Sequence, residues 1–182
     1  ACAYHLARLG HTPEVFDRLP KAGGMLRDGI PEYRLPNDIL DREIRRLEKM
    51  GVVFHLGKPV RDATQMQVLR QDYAAVFMAI GAYKSKAMGV PDEKSTGVIT
   101  GLELLRRAAE GKPPALGKRV LVVGGGNTAV DAARTARRLG AEVTIVYRRS
   151  RAEMPAFEAE VRQADEEGVR FEMLSAPKRV VT

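Results

Sequence analysis

Tryptophan is absent, and aromatic residues make up only 5% of the chain. Stacking platforms for nucleic-acid bases are therefore scarce. Cysteine occurs once, as Cys2. A lone thiol excludes an internal disulfide and any cysteine-ligated cluster made by this chain alone. That usage fits a reducing, cytoplasmic setting. His5, His11 and His55 are scattered without metal-ligand spacing, so no metal site is expected. No apolar run approaches the roughly eighteen residues of a membrane span. The N-terminus, Ala1-Cys2-Ala3-Tyr4-His5, lacks a basic stretch followed by an apolar one, so it is not read as a signal peptide. It also lacks an initiator Met, and the chain is expected to begin inside a longer one. No Ser–His–Asp arrangement and no paired-carboxylate signature is present, so no catalytic acid or base is nominated.

What is present is ordinary for a globular protein: 182 residues, 45% hydrophobic and 29% charged. That length holds one large domain or two small ones, with enough chain to bury a core. The net charge is +7, which raises nucleic acid as a partner. However, Arg45, Arg46, Arg106, Arg107, Arg137 and Arg138 lie on helix-like segments among Glu and Asp. Solvated surface charge is the better reading, and no nucleic-acid partner is expected. The exception is the cluster Arg148-Arg149-Ser150-Arg151.

Strand and helix signals alternate along the chain. Residues 1–9 read as the end of a helix closed by Gly10, followed by the strand Glu14-Val15-Phe16. A Gly- and Pro-rich connection leads to a helix over about 38–50, with Asn37 or Asp38 as its cap. Val52 to Leu56 and the apolar run Ala74 to Ala79 read as strands. Residues 84–97 look like a linker, and a helix is expected over about 101–110. Arg119 to Val123 reads as a buried strand, 127–139 as a helix and Glu142 to Tyr147 as a strand. A helix over about 155–167 and a strand over about 169–174 follow. This order predicts an α/β fold of Rossmann-like units with parallel sheets.

The sequence Val122-Val123-Gly124-Gly125-Gly126-Asn127-Thr128-Ala129 has the pattern GxGxxA. It follows an apolar strand and opens an Ala-rich helix, the context a dinucleotide site requires. Gly124 permits the tight turn, Gly126 lets a pyrophosphate approach the backbone, and Ala129 lets the helix lie close to the sheet. The pyrophosphate then meets free N–H groups at a positive helix end, where Asn127 and Thr128 can add side-chain bonds. About twenty residues on, NAD-binding units carry an acid for the ribose hydroxyls. Here Tyr147 is followed by Arg148, Arg149 and Arg151. Guanidinium groups pair with a 2′-phosphate that a carboxylate would repel, so NADP(H) is the expected coenzyme.

The chain also repeats itself loosely. Setting Gly10 on Gly140 puts Asp17 on Tyr147 and Arg18 on Arg148. The first copy thus has an acid suited to an unphosphorylated ribose, as in FAD or NAD. Its glycine loop would fall just upstream of Ala1, which predicts a chain cut inside its first dinucleotide site.

Three stretches resemble one flavoprotein group. They are Pro20-Lys21-Ala22-Gly23-Gly24-Met25-Leu26 with Gly29 to Pro36, Gly124 to Arg134, and Tyr147-Arg148-Arg149 through Glu153-Met154-Pro155-Ala156. The likeness is to the small (beta) subunit of NADPH-dependent glutamate synthase and the related NADPH:FAD module of dihydropyrimidine dehydrogenase. It implies hydride transfer from NADPH to FAD, with electrons leaving through iron–sulfur clusters held in other parts or in a partner. It implies that Asp17 holds the flavin-side ribose, where the family usually has Glu. Gly23, Gly24 and Met25 would line FAD, Arg34 would reach it, and Val60 would lie by the adenine. Ile80 and Gly81 match a strand-end motif that usually has Thr first. Gly124, Gly125, Gly126, Asn127, Thr128, Arg148, Arg149 and Arg151 would hold NADPH.

These readings predict a partial FAD-binding domain over 1–90 and an NADP(H)-binding Rossmann domain over 91–182. The FAD site would be incomplete, so little bound flavin is expected. The expected function is that of a fragment of an NADPH-dependent FAD oxidoreductase, itself inactive alone. A large glutamate synthase-type subunit or another electron-accepting domain would be its partner. The alternative is a non-catalytic NADP(H)-binding sensing or interaction module. Oligomeric state is not indicated.

Overall fold

The structure is a computed structural model that describes residues 1–181. Contacts divide it into two units, one of residues 1–27 and 32–82, the other of 28–31 and the described residues from 83 onward.

The first unit begins with α1 (Cys2–Arg8) and β1 (Glu14–Phe16). A short helix, α2 (Met25–Asp28), precedes α3 (Asn37–Lys49), β2 (Val53–His55) and α4 (Ala63–Asp72). β1 and β2 pair in parallel, with Glu14 opposite Val53 and Phe16 opposite His55. The expected cap of α3 is not formed. Pro36 takes the N-cap position and no side chain caps the helix, because Asn37 Oδ1 accepts instead from Arg27 Nη1 at 3.1 Å. α4 was not foreseen. Asp62 Oδ1 accepts from the Gln65 N–H at 2.8 Å, and Gln65 Oε1 accepts from the Arg61 N–H at 2.7 Å. That reciprocal pattern starts a helix without help from packing.

The expected strand over 74–79 is also absent. A wholly apolar strand needs neighbours that hydrogen-bond it and bury both faces. This sheet holds only β1 and β2, and Phe77, Met78 and Ile80 are left 70%, 59% and 77% exposed. Residues 84–97 are irregular and belong to the second unit.

The second unit contains α5 (Gly101–Ala109), β3 (Arg119–Val123), α6 (Asn127–Arg138), β4 (Glu142–Tyr147), α7 (Glu158–Glu166) and β5 (Arg170–Met173), with a 3₁₀ turn at Arg151–Glu153. Its sheet is parallel, in the order β3-β4-β5. Val130, Ala133 and Ala136 of α6 are buried with Val143 and Ile145 of β4, and α7 adds Val161 and Ala164 to the same core. β3 departs from the buried strand expected of it. It alternates, with Val120 and Val122 packed on the core while Leu121 and Val123 stay exposed. An edge strand with one covered face can do no better.

The loose repeat has a structural counterpart. After α1 the His11 N–H donates to Leu6 C=O at 3.1 Å, and after α6 the Ala141 N–H donates to Ala136 C=O at 3.2 Å. Between them Gly10 and Gly140 sit at φ +86° and +97°. This is the glycine-closed helix end in which a left-handed residue lets two N–H groups return to the last turn.

Candidate dinucleotide site

The register of β3 on β4 pairs Val123 with Val146. Where β3 ends, the Gly124 N–H donates to Val146 C=O at 3.0 Å. Gly124 turns at φ +133°, and a Cβ there would lie 3.4 Å from the Ala129 methyl. The close approach of turn and helix thus rests on Gly124 and Ala129 together. Gly126 is the N-cap of α6, and no side chain caps that helix. The N–H groups of Gly126, Asn127 and Thr128 meet no acceptor among the described residues. Nothing lies within 4 Å of a Cβ built on Gly126, and the first turn holds no acid. Uncapped N–H groups at a positive helix end with open space before them suit an anion.

Gly125 has a different reason to be glycine. A Cβ there would meet two Tyr147 ring carbons at 2.7 Å. The ring is buried, and its hydroxyl donates to Glu153 C=O at 2.9 Å. The loop is pinned further by the Ala156 N–H, which donates to Gly125 C=O at 3.1 Å. Asn127 Oδ1 accepts from the Phe157 N–H at 2.9 Å. Since a backbone N–H can only donate, the amide is oriented with its NH₂ group left as a donor.

Arg148 and Arg149 follow directly on β4. The sheet ladder continues past the strand there. Leu174 N–H donates to Arg149 C=O at 3.2 Å and Ser175 N–H to Tyr147 C=O at 3.1 Å. The backbone carrying both arginines is therefore fixed, while both side chains are exposed. Arg151 is engaged elsewhere, with the Asp165 carboxylate and with its guanidinium carbon 4.8 Å from the Phe171 ring centre. A carboxylate that the sequence reading did not reckon with stands nearby. Glu153 Oε2 accepts from Ser150 N–H at 3.0 Å and from Ser150 Oγ at 2.7 Å. These bonds outweigh burial and, with the charge of Arg149, hold Glu153 below the ordinary carboxylate value. The pattern Ser150-x-x-Glu153 was legible as a capping box.

In the first unit, Asp17 follows β1. Its Oδ1 accepts from Leu19 N–H at 2.9 Å, and its backbone C=O accepts from Lys58 N–H at 2.8 Å. The structure thus sets Asp17 beside the loop that carries Val60, at the carboxyl ends of β1 and β2. Gly23 and Gly24 lead into Met25 at the start of α2. A Cβ on Gly23 would lie 2.8 Å from Leu40 Cδ2, so this glycine serves packing against α3. Arg34 lies in the turn before α3, whereas Ile80 and Gly81 lie on the irregular exposed stretch. A concavity of about 620 Å³ is lined by Arg119, Glu142 and Arg170, the first residues of β3, β4 and β5. It lies at the wrong end, because open α/β sheets bind ligands at the carboxyl ends of their strands. No group of three or more His, Cys, Asp or Glu among the described residues is placed to hold a metal. No helix there is long and apolar enough to cross a membrane.

A family model described as pyridine nucleotide-disulphide oxidoreductase matches residues 1–182. The chain belongs to this family. Within the pyridine nucleotide-disulphide oxidoreductases it is 49% identical, over 185 residues, to the NADP(+)-dependent formate dehydrogenase subunit beta of Moorella thermoacetica, covering 100% of this chain and 26% of that protein. It is 39% identical, over 189 residues, to the glutamate synthase [NADPH] small chain of Escherichia coli (strain K12), covering 97% and 40%. The resemblance to the glutamate synthase small subunit therefore holds. A solved 2-naphthoyl-CoA reductase complex superposes with a TM-score of 0.81 at 17% identity, over 99% of this chain and 27% of that one. That likeness supports the Rossmann-like α/β fold alone. The chain spans about a quarter to under half the length of these proteins.

Proposed function

We propose that this chain is the nucleotide-binding portion of an NADPH-dependent flavoprotein oxidoreductase. One observation carries the reading. The uncapped start of α6 stands next to two exposed arginines on a fixed backbone, and the carboxylate that acts on Arg149, Glu153, is already bonded to Ser150. The N–H groups of Gly126, Asn127 and Thr128 would receive the pyrophosphate, and Thr128 Oγ1 can add to them. Arg148 and Arg149 would receive the 2′-phosphate through charge-assisted bonds. Arg151, drawn to Asp165, would fix the segment behind them rather than join them. Asp17 Oδ2 meets no donor among the described residues, so it can accept from a ribose hydroxyl of FAD, with Val60 beside it. Gly23, Gly24, Met25 and Arg34, and Ile80 with Gly81, would complete the flavin side.

NADPH and FAD, when bound, would supply the hydride chemistry, and iron–sulfur clusters in other parts or a partner would serve as the electron acceptors. The residues of this chain bind and orient, and none is required to move a proton. The relatives' names as subunits favour an electron-accepting partner, and the glutamate synthase large subunit is one of that kind. A cytoplasmic setting suits such a partnership.

Titration calorimetry of the full chain with NADP⁺ and NAD⁺ tests the reading. Wild type should prefer NADP⁺, and the double variant Arg148→Asp/Arg149→Gln should lose at least about tenfold of that preference, as charged hydrogen bonds imply. Equal affinities in wild type, or an unchanged ratio in the variant, would overturn it.

A further inference from the structure

We infer that Asn127 is a positioning residue that sets coenzyme choice without touching the 2′-phosphate. The inference rests on the dinucleotide reading above. Gly126 is the N-cap of α6, so Asn127 stands at the first helical position and its side chain can bond outside its own helix. Its Oδ1 accepts from Phe157 N–H, thirty residues on in sequence, at 2.9 Å. Residues 150–157 thus form a strap running from the arginine pair to the glycine loop. At one end Leu174 N–H holds Arg149 C=O at 3.2 Å. Midway the Tyr147 hydroxyl holds Glu153 C=O at 2.9 Å. At the far end Gly125 C=O holds Ala156 N–H at 3.1 Å, and Asn127 holds Phe157.

One adenosine moiety must reach both the loop and the arginines, and its covalent length is fixed. The spacing between the two phosphate sites must therefore be fixed as well; the sheet joins them through the Gly124–Val146 bond, and the strap is a second tie between them. Of its two attachments to the loop and helix start, only that of Asn127 is made by a side chain. Releasing it leaves the loop's N–H groups in place while loosening the strap end, which then hangs on the Ala156 bond to Gly125 alone, and misplacement of about 1 Å in such a site costs heavily. The loss should then fall on the ligand that uses both sites.

Two variants of the full chain separate this from a general structural role. Asn127→Ala should lower NADP⁺ affinity about tenfold more than NAD⁺ affinity, and the Phe157 amide should exchange faster with deuterium. Asn127→Asp retains the acceptor oxygen. It should keep the Phe157 amide protected and the coenzyme ratio near wild type, while its charge at the helix start weakens both ligands. Equal losses of both coenzymes in Asn127→Ala, or unchanged exchange at Phe157, would overturn the inference and leave the dinucleotide reading standing. A wild type that binds neither coenzyme would remove both.

Discussion

The face of Gly125 lies against the ring of Tyr147, so closely that a Cβ on the glycine would stand 2.7 Å from two ring carbons. The ring cannot easily retreat, because it is 9% exposed and its hydroxyl is bonded to Glu153 C=O. Gly125→Ala should therefore destabilise the second unit by about 1–3 kcal/mol, the usual cost of overpacking. Urea unfolding measures this, and dinucleotide affinity should fall with it. A variant as stable as wild type would mean that the contact yields.

Gly125 also marks where sequence reading stopped. The outer positions of GxGxxA could be given tasks from the motif alone, and α6, β3 and β4 were placed to within a residue by periodicity. The middle glycine answers to a side chain twenty-two positions away, which no local pattern reports. The same is true of Asn127 and Phe157. Ser150 and Glu153 differ, since their spacing is itself a local signature, that of a capping box. Ala74 to Ala79 failed in the opposite direction: composition fixes a strong strand preference, but pairing needs neighbours.

Arg134 is the buried centre of a charged network. Its Nη1 reaches Glu160 at 2.5 Å and its Nη2 reaches Glu167 at 2.8 Å, with the Arg134 side chain 4% exposed. Arg134→Ala should cost about 3 kcal/mol, because it leaves carboxylates behind without their buried partner. Arg138 also pairs with Glu167 but is half exposed, so Arg138→Ala should cost under about 1 kcal/mol. Denaturation midpoints of the two variants test the ranking, and equal losses would refute it.

Glu167 gives the same network a pH dependence. Burial raises its pKa, but the hydrogen bonds and charges of Arg138 and Arg134 outweigh that and leave it below the ordinary 4.5. A carboxyl with a depressed folded pKa stabilises the fold above its unfolded value, and the contribution disappears as pH falls through the folded one. Acid unfolding of wild type should therefore steepen below about pH 4.5, and Glu167→Gln should flatten that limb while lowering stability at pH 7. An acid limb of identical slope in both proteins would exclude Glu167 as a source.

In the first unit, Glu14 links two elements. Tyr73 Oη donates to Glu14 Oε2 at 2.6 Å, and His55 Nε2 lies 2.6 Å from the same oxygen. The Tyr73 bond, then the His55 bond, lowers the pKa of Glu14, and the Glu14 bond raises that of Tyr73. The phenol contribution is present below the ordinary tyrosine value of 10.0 and is lost as pH rises through the higher folded value. Tyr73→Phe should remove that alkaline loss and bring Glu14 back toward 4.5. Carboxyl titration followed by NMR reads the second effect directly, and an unmoved Glu14 would contradict the bond.

Thr135 presents the reverse case, a polar group whose removal should do no harm. It lies on the buried side of α6 at 8% exposure, and its Oγ1 meets no hydrogen-bond partner among the described residues. An unsatisfied buried hydroxyl costs about 1–3 kcal/mol. Valine has nearly the same shape and the same β-branch, so helix propensity barely changes. Thr135→Val should therefore leave stability unchanged or raise it by up to about 1 kcal/mol. Thermal unfolding at neutral pH decides the matter. A loss of about 1 kcal/mol or more would mean that the hydroxyl has an acceptor after all, the nearest candidates being the carbonyls of the preceding helical turn.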